Sequence, residues 1–176
     1  TTAVKWPLGT DEAHSPPQKG FERSFVLLPG GASHFSDAAG ATETAAQAEY
    51  TEDGRKTSLP AGFYSTAYYT DKLIEYIRGA LADRKPFFAY AAYTSPPWPL
   101  QVPDAELERY RGAYDDGYDA LRARRFASAR RLGIVPRGAS APERTPFARA
   151  WDALAPDAKR GEARRMELYA AMVENL

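Results

Sequence analysis

The stretch K-P-F-F-A-Y-A-A-Y-T-S-P-P-W-P-L-Q-V-P, Lys85 to Pro103, decides how the rest of the chain is read. Phe87 to Tyr93 is an unbroken apolar and aromatic run bounded by Pro86 and Pro96, too short for a stable helix. It predicts a strand covered on both faces, as in a parallel sheet. In open α/β sheets a ligand sits beyond the carboxyl ends of the strands, which places the expected site at Thr94 to Trp98. Pro96, Pro97 and Pro99 fix the backbone there and withdraw three N–H donors, leaving a stiff platform that carries Trp98.

Upstream, Thr1 to Trp6 is β-favourable and stops at Pro7-Leu8-Gly9, so it reads as a strand followed by a turn. Gly20 to Leu28 is a second short apolar stretch, ended by Pro29-Gly30-Gly31, and predicts another strand. Ala32 to Pro60 is small and polar, carries Thr51-Glu52-Asp53-Gly54, and reads as a long surface excursion with room for one small hairpin. From Ser65 to Leu81 the spacing of Tyr69, Leu73, Ile77 and Leu81 predicts a helix leading into the central strand, half of a βαβ unit.

Downstream, Asp104 is a natural N-cap for a short helix to Tyr110. A longer helix spans about Tyr114 to Leu132, acidic early and basic late, an order that complements the helix dipole, and Gly133 closes it. Pro136 to Pro146 is a linker and Phe147 to Leu154 a short helix. Pro156 opens a last helix whose apolar stripe is Met166, Tyr169, Val173 and Leu176. Two or three strands do not make a self-sufficient parallel sheet, and both ends of the chain fall inside regular structure. Residues 1–176 are therefore expected to be the central part of a single α/β domain, incomplete at both ends.

Composition bounds the partners. The chain has 176 residues, 44% hydrophobic, enough to build a core. Its 23 basic and 23 acidic residues balance, so no net field draws it to nucleic acid or an anionic membrane. No apolar run approaches the roughly 20 residues of a membrane span. Cysteine is absent, which excludes disulfides, thiolate metal sites and a cysteine nucleophile within these residues.

An ordered set of motifs then resembles the bacterial arylsulfatases. It comprises K-W-x-L-G at Lys5 to Gly9, G-F-E-R-S-F at Gly20 to Phe25, G-G-A-S-H-F at Gly30 to Phe35, L-P-x-G-F-Y-S-T at Leu59 to Thr66, P-F-F-A-Y at Pro86 to Tyr90, W-P-L-Q-x-P at Trp98 to Pro103, Y-R-G-x-Y-D at Tyr110 to Asp115 and R-R-M-E-L-Y-A-A-M-V-E at Arg164 to Glu174. The resemblance implies an alkaline-phosphatase-like α/β fold and hydrolysis of a small-molecule sulfate ester in the bacterial cytoplasm or periplasm. It implies a formylglycine nucleophile, made from a Cys or Ser in C/S-x-P-x-R, and a Ca²⁺ held by Asp and Asn. Both belong to flanking segments, and no metal ligand is expected among these residues. Ser15-Pro16-Pro17-Gln18-Lys19 mimics the nucleophile motif but follows K-W-x-L-G instead of preceding it, and ends in Lys instead of Arg.

Of the family's site residues, the resemblance maps a lysine onto Lys5, where a compact cation stabilises charge on a sulfate oxygen. Its two histidines fall on Pro7 and Pro97, which cannot transfer protons. An inactivated copy, a systematic sequence error and a site rebuilt for another purpose all fit that double replacement. Trp98 and His34 are expected at the substrate pocket, although the ordinary reading is a packing residue for Trp98 and a loop histidine making one hydrogen bond for His34. His14 reads as an ordinary loop histidine. Glu52-Asp53 and Asp115-Asp116 read as a turn and a helix start, without Ca²⁺-loop spacing. The five arginines between Arg122 and Arg131 raise a different class, an anion-binding interaction module, yet acidic residues precede them and they read as a solvated helix face.

Overall fold

The computed structural model describes residues 1–28, 31–38, 47–96 and 98–176. They divide into two compact units, Thr1–Val102 with Met172–Leu176, and Pro103–Ala171.

The first unit is built on a five-stranded sheet of order β4-β3-β2-β1-β5. β1 (Thr2–Lys5) and β2 (Ser24–Leu27) pair in parallel with Val4 opposite Val26 and Lys5 opposite Leu27. Both strands are apolar on both faces, and both faces are covered. Ala3, Phe25 and Leu27 pack with Tyr50, Phe63, Tyr69, Leu73 and Tyr76 on one side, while Val4 and Val26 pack with Trp6 and Leu28 on the other. Phe25, 1% exposed, anchors the first cluster, its ring 5.7 Å from Tyr50 and 4.9 Å from Tyr68. Burying such a side chain contributes roughly 1.5–3 kcal/mol.

The hairpin expected inside the excursion forms. β3 (Tyr50–Glu52) and β4 (Arg55–Thr57) pair antiparallel around Asp53-Gly54, both at positive φ, the backbone that a two-residue hairpin turn requires. The excursion is not all surface, however, because Ala32, His34, Ala48 and Tyr50 are buried. α1 (Ser65–Ala82) follows and packs over β1 and β5, burying Tyr69, Leu73 and Tyr76. The Pro29-Gly30 part of the expected turn lies outside the described residues.

The stretch that guided the sequence reading is corrected. Only Tyr90–Ala92 forms a strand, β5, which pairs in parallel with β1, Val4 opposite Ala92. It is the sheet's edge, and Phe87, Phe88 and Tyr90 are 47%, 69% and 45% exposed. The backbone ahead of β5 still runs alongside β1, since the Thr1 amine donates to the Phe88 carbonyl at 2.7 Å. An apolar run shows that both faces favour cover; among the described residues β1 and β2 obtain it and β5 does not.

In the second unit α2 spans Asp104–Glu108, with Pro103 in the cap position and Asp104 as the first helical residue, so Asp104 is not the side-chain cap expected of it. Its charge still complements the first turn. α3 (Gly117–Arg131) begins at a glycine with φ +83°, where an added Cβ would stand 2.1 Å from the Trp151 ring. Only glycine permits that closeness. Trp151 is held there by the Asp119 carboxylate, which accepts its N–H at 2.9 Å and pairs with Arg144 at 3.2 Å. Those bonds, the Trp151 N–H first, hold the Asp119 carboxyl below its usual range.

The expected helix Phe147 to Leu154 shrinks to a single 3-10 turn, Trp151–Ala153, and Phe147 is 97% exposed. α4 spans Pro156–Glu174, but its apolar stripe is not its buried side. Tyr169, Val173 and Leu176 are 43%, 48% and 51% exposed, whereas Ala163, Glu167 and Ala171 are buried. Glu167 is satisfied there by the Gly112 N–H at 2.8 Å and by Arg164 at 2.9 Å, a polar anchor to which hydrophobic periodicity is blind.

Candidate functional site

Parallel pairing brings the carboxyl ends of β1, β2 and β5 side by side. Lys5 ends β1, one residue past the Val4–Ala92 pair, so the chain leaves β5 through Tyr93 and Thr94 at the level of Lys5. Alternation along the strand puts Lys5 on the face of Ala3, the face that α1 covers. Tyr93 packs against that same cluster, its ring 6.4 Å from Tyr69, and its hydroxyl bonds Thr70 Oγ1 at 2.7 Å. Lys5 is half-buried, and no carboxylate among the described residues lies within ion-pair distance of it. Lys5 and Tyr93 thus share one end and one face of the sheet.

Beyond Lys5 the chain turns at once. Trp6 is buried and its indole N–H donates to the His14 carbonyl at 2.7 Å, which fastens the following loop, while Pro7 is exposed. His14 also faces Asp11 at 2.7 Å, as a loop histidine would. Trp98 projects into solvent at 69% exposure, with its carbonyl beside Gly31. Pro97 lies outside the described residues.

His34 is corrected from a pocket-edge residue to an interior one. It is 1% exposed, with Nδ1 2.7 Å from the Ser65 hydroxyl, and its carbonyl accepts the Ser65 N–H at 2.8 Å. A buried imidazole is tolerated because ring and main chain both have partners. Ser65 sits in the first turn of α1, and the Thr94 hydroxyl reaches it at 3.4 Å. Sequence reasoning assigned Ser65 and Gln101 no role. Their motifs, L-P-x-G-F-Y-S-T and W-P-L-Q-x-P, held them in plain view, but nothing local says that residues 34, 65 and 94 converge.

A hollow lies elsewhere. A cavity of about 540 Å³ opens among Lys19, Phe21, Arg23, Tyr76, Lys85 and Phe88. Thr1, Arg23 and Phe88, which precede β1, β2 and β5, all line it, so it sits at the amino ends of the strands, the wrong end for an α/β ligand site. Lys19, the last residue of the S-P-P-Q-K decoy, points there. Among the described residues no group of three or more His, Asp or Glu side chains is arranged to hold a metal. The Arg122–Arg131 face is partly engaged: Arg122 donates to the Glu143 carbonyl at 2.6 Å, Arg124 pairs with Asp116, and Arg130 donates to the Arg137 carbonyl at 2.7 Å.

No protein-family model matches the chain. It is 37% identical over 183 aligned residues to an uncharacterized sulfatase of Schizosaccharomyces pombe, covering 100% of this chain and 33% of the relative. It is also 37% identical over 175 residues to an arylsulfatase of Klebsiella aerogenes, covering 99% of this chain and 37% of the relative. The chain therefore spans about a third of the length of these curated relatives. Among solved structures, the crystal structures of Ps i-CgsB, alone and in complex with k-i-k-neocarrahexaose, align over 99% of this chain and 33% of theirs, with a TM-score of 0.53 and 18% identity.

Proposed function

This chain belongs to the sulfatase family, with its alkaline-phosphatase-like α/β fold, and on that premise we propose that it forms one wall of a sulfate-ester pocket in a sulfuric ester hydrolase. The observation that carries the reading is Lys5 at the carboxyl end of β1, half-buried, on the same side of the sheet as Tyr93 and paired with no carboxylate among the described residues. A compact ammonium in a partly desolvated position attracts a sulfate oxygen far more strongly than one in bulk water. Trp98 offers an exposed aromatic face against which an aryl or sugar leaving group can lie.

The nucleophile and the metal belong, on this reading, to other thirds of a full-length sulfatase. The described residues do not fit Ca²⁺, which needs six or more oxygens from a carboxylate-rich cluster, and no step here runs through it. Within this segment the chemistry is charge stabilisation by Lys5 and orientation by the platform. The resemblance maps the family's two histidines onto positions 7 and 97, where this chain has prolines that cannot transfer a proton. That double replacement favours a second reading, a sulfatase-like pseudoenzyme that binds without turnover.

A chimera decides between them, with residues 1–176 replacing the matching third of the Klebsiella aerogenes arylsulfatase, assayed for aryl sulfate hydrolysis with and without Pro7→His and Pro97→His. Hydrolysis that rises by about 10²–10⁴-fold in the double revertant, the usual worth of general acid–base help, supports the pocket. Lys5→Ala should then remove the gain. No hydrolysis in either folded chimera supports the pseudoenzyme, and revertant activity that ignores Lys5→Ala defeats the role given to the lysine.

A further inference from the structure

Three segments meet where β5 ends: Ser33-His34 from the excursion after β2, Ser65 from the first turn of α1, and the platform, flanked by Thr94 and Gln101. Both flanks are tied to one residue. Behind the platform, Gln101 Oε1 accepts the His34 main-chain N–H at 2.8 Å and the Ser33 hydroxyl at 3.1 Å. Ahead of it, the Thr94 hydroxyl donates to Ser65 Oγ at 3.4 Å, and Ser65 Oγ lies 2.7 Å from His34 Nδ1. The loop is closed by the Ser65 N–H donating to the His34 carbonyl at 2.8 Å.

Counting protons gives these bonds a direction. Ser65 has one hydroxyl hydrogen and two acceptor lone pairs; with Thr94 donating to one of them, the Ser65 hydrogen is assigned to Nδ1 of the imidazole as part of the proposal tested below. The ring is then neutral and carries its proton on Nε2. Each hydroxyl in the series Thr94, Ser65, His34 donates to the next, and neighbouring bonds of that kind polarise and strengthen one another in a buried setting.

We propose that His34 is a positioning residue, which holds Thr94 and Gln101, the two flanks of the pocket wall, in place, from the ring through Ser65 to Thr94 and from the main chain to Gln101. The word "wall" rests on the sulfate-ester reading; the positioning itself does not. A histidine that merely filled space would be replaceable by an apolar side chain of similar size, whereas this role needs an acceptor where Nδ1 now stands.

The test uses the 176-residue chain and nuclear magnetic resonance. Nitrogen-15 shifts should show His34 as the neutral Nε2–H tautomer; His14, the other histidine, is removed from the spectrum by His14→Gln. In His34→Leu, which keeps the main-chain bond to Gln101 and loses the ring's bond to Ser65, amide exchange at Thr94 and Ser95 should quicken by about tenfold or more relative to β1, β2 and Gln101, the scale of one lost buried hydrogen bond. His34→Asn, whose Oδ1 lies near the Nδ1 position, should restore most of that protection. An Nδ1–H tautomer, loosening spread evenly through the sheet, or an asparagine that behaves like leucine would overturn the proposal. If His34→Leu does not fold, Gln101→Ala and Ser65→Ala each cut one tie, and an unchanged platform in both overturns it equally. None of these readouts involves sulfate. An inactive chimera with an ordered platform therefore fails the functional reading alone, and a platform indifferent to His34 fails the positioning alone.

Discussion

The two ends of the sheet in the first unit are built for different things. At the amino end, beside the 540 Å³ cavity, charges are spent on one another: Lys72 contacts Glu52 at 2.8 Å and Glu75 at 3.1 Å, Arg23 contacts Asp53 at 3.0 Å and lies 4.4 Å over the Tyr76 ring, and the Tyr76 hydroxyl donates to Glu52 at 3.2 Å. At the carboxyl end Lys5 has no such partner among the described residues, and the hydroxyls, amide and imidazole that meet where β5 ends bond one another and the backbone. A cation neutralised by its neighbours contributes to the fold; one held near a rigid polar wall without a counter-ion is left to attract a ligand. The presence of a cavity is here a poorer guide than how the charges are partnered.

The largest effect that separates the ends is Tyr76→Ala. This residue is 3% exposed and packs in the main core, so truncation should destabilise the chain by about 3–5 kcal/mol in urea unfolding. Amide exchange around Thr94 to Gln101 should stay in step with the rest of the sheet, and a selective loss there would join two regions treated as separate.

Next comes alkaline pH. Burial pushes the Tyr50 phenol up to about 12 and raises Tyr76 too, the latter helped by Glu52 and Asp53. A raised pKa means that the folded state holds the proton more tightly. Stability is then full below the unfolded value near 10 and falls as pH rises toward the folded one. Tyr50 alone should account for about 2–3 kcal/mol of that loss between about pH 10 and 12, and Tyr50→Phe should flatten the limb. A limb unmoved by Tyr50→Phe and Tyr76→Phe together would place the titration elsewhere.

The smallest stability effect is the most telling. Lys5→Ala should shift unfolding by no more than about 0.5 kcal/mol, as a side chain without a counter-ion does, while abolishing the gain of the revertant chimera. A loss of 2 kcal/mol or more, on the order of a broken buried charge interaction, would make Lys5 a structural cation like Lys72 and erase the contrast between the ends.

How much of this was legible in the letters depended on whether the signal was local. β1, β2, α1 and the Asp53-Gly54 hairpin follow from apolar runs, four-residue spacing and a turn dipeptide, each readable within a dozen residues. β5 did not, because Phe87 to Tyr93 states a preference for cover without saying whether cover exists. The stripe of α4 failed similarly: Met166, Tyr169, Val173 and Leu176 are spaced for burial, yet the buried face is Ala163, Glu167 and Ala171, selected by a carboxylate bonded to Gly112. His34 was noticed for its chemistry and misplaced, since burial of a histidine depends on partners 31 and 67 residues away.

The sequence by itself determined the family, the strands β1 and β2, and the proline-stiffened turn after Tyr93, because those rest on residue order and short-range sterics. Only the tertiary structure decided that His34 ties both flanks of that turn, that β5 lies at an edge, and that Arg23 and Lys72 at the amino end are already matched. Those outcomes are contacts between residues distant along the chain, and the free energy of a contact belongs to both partners at once.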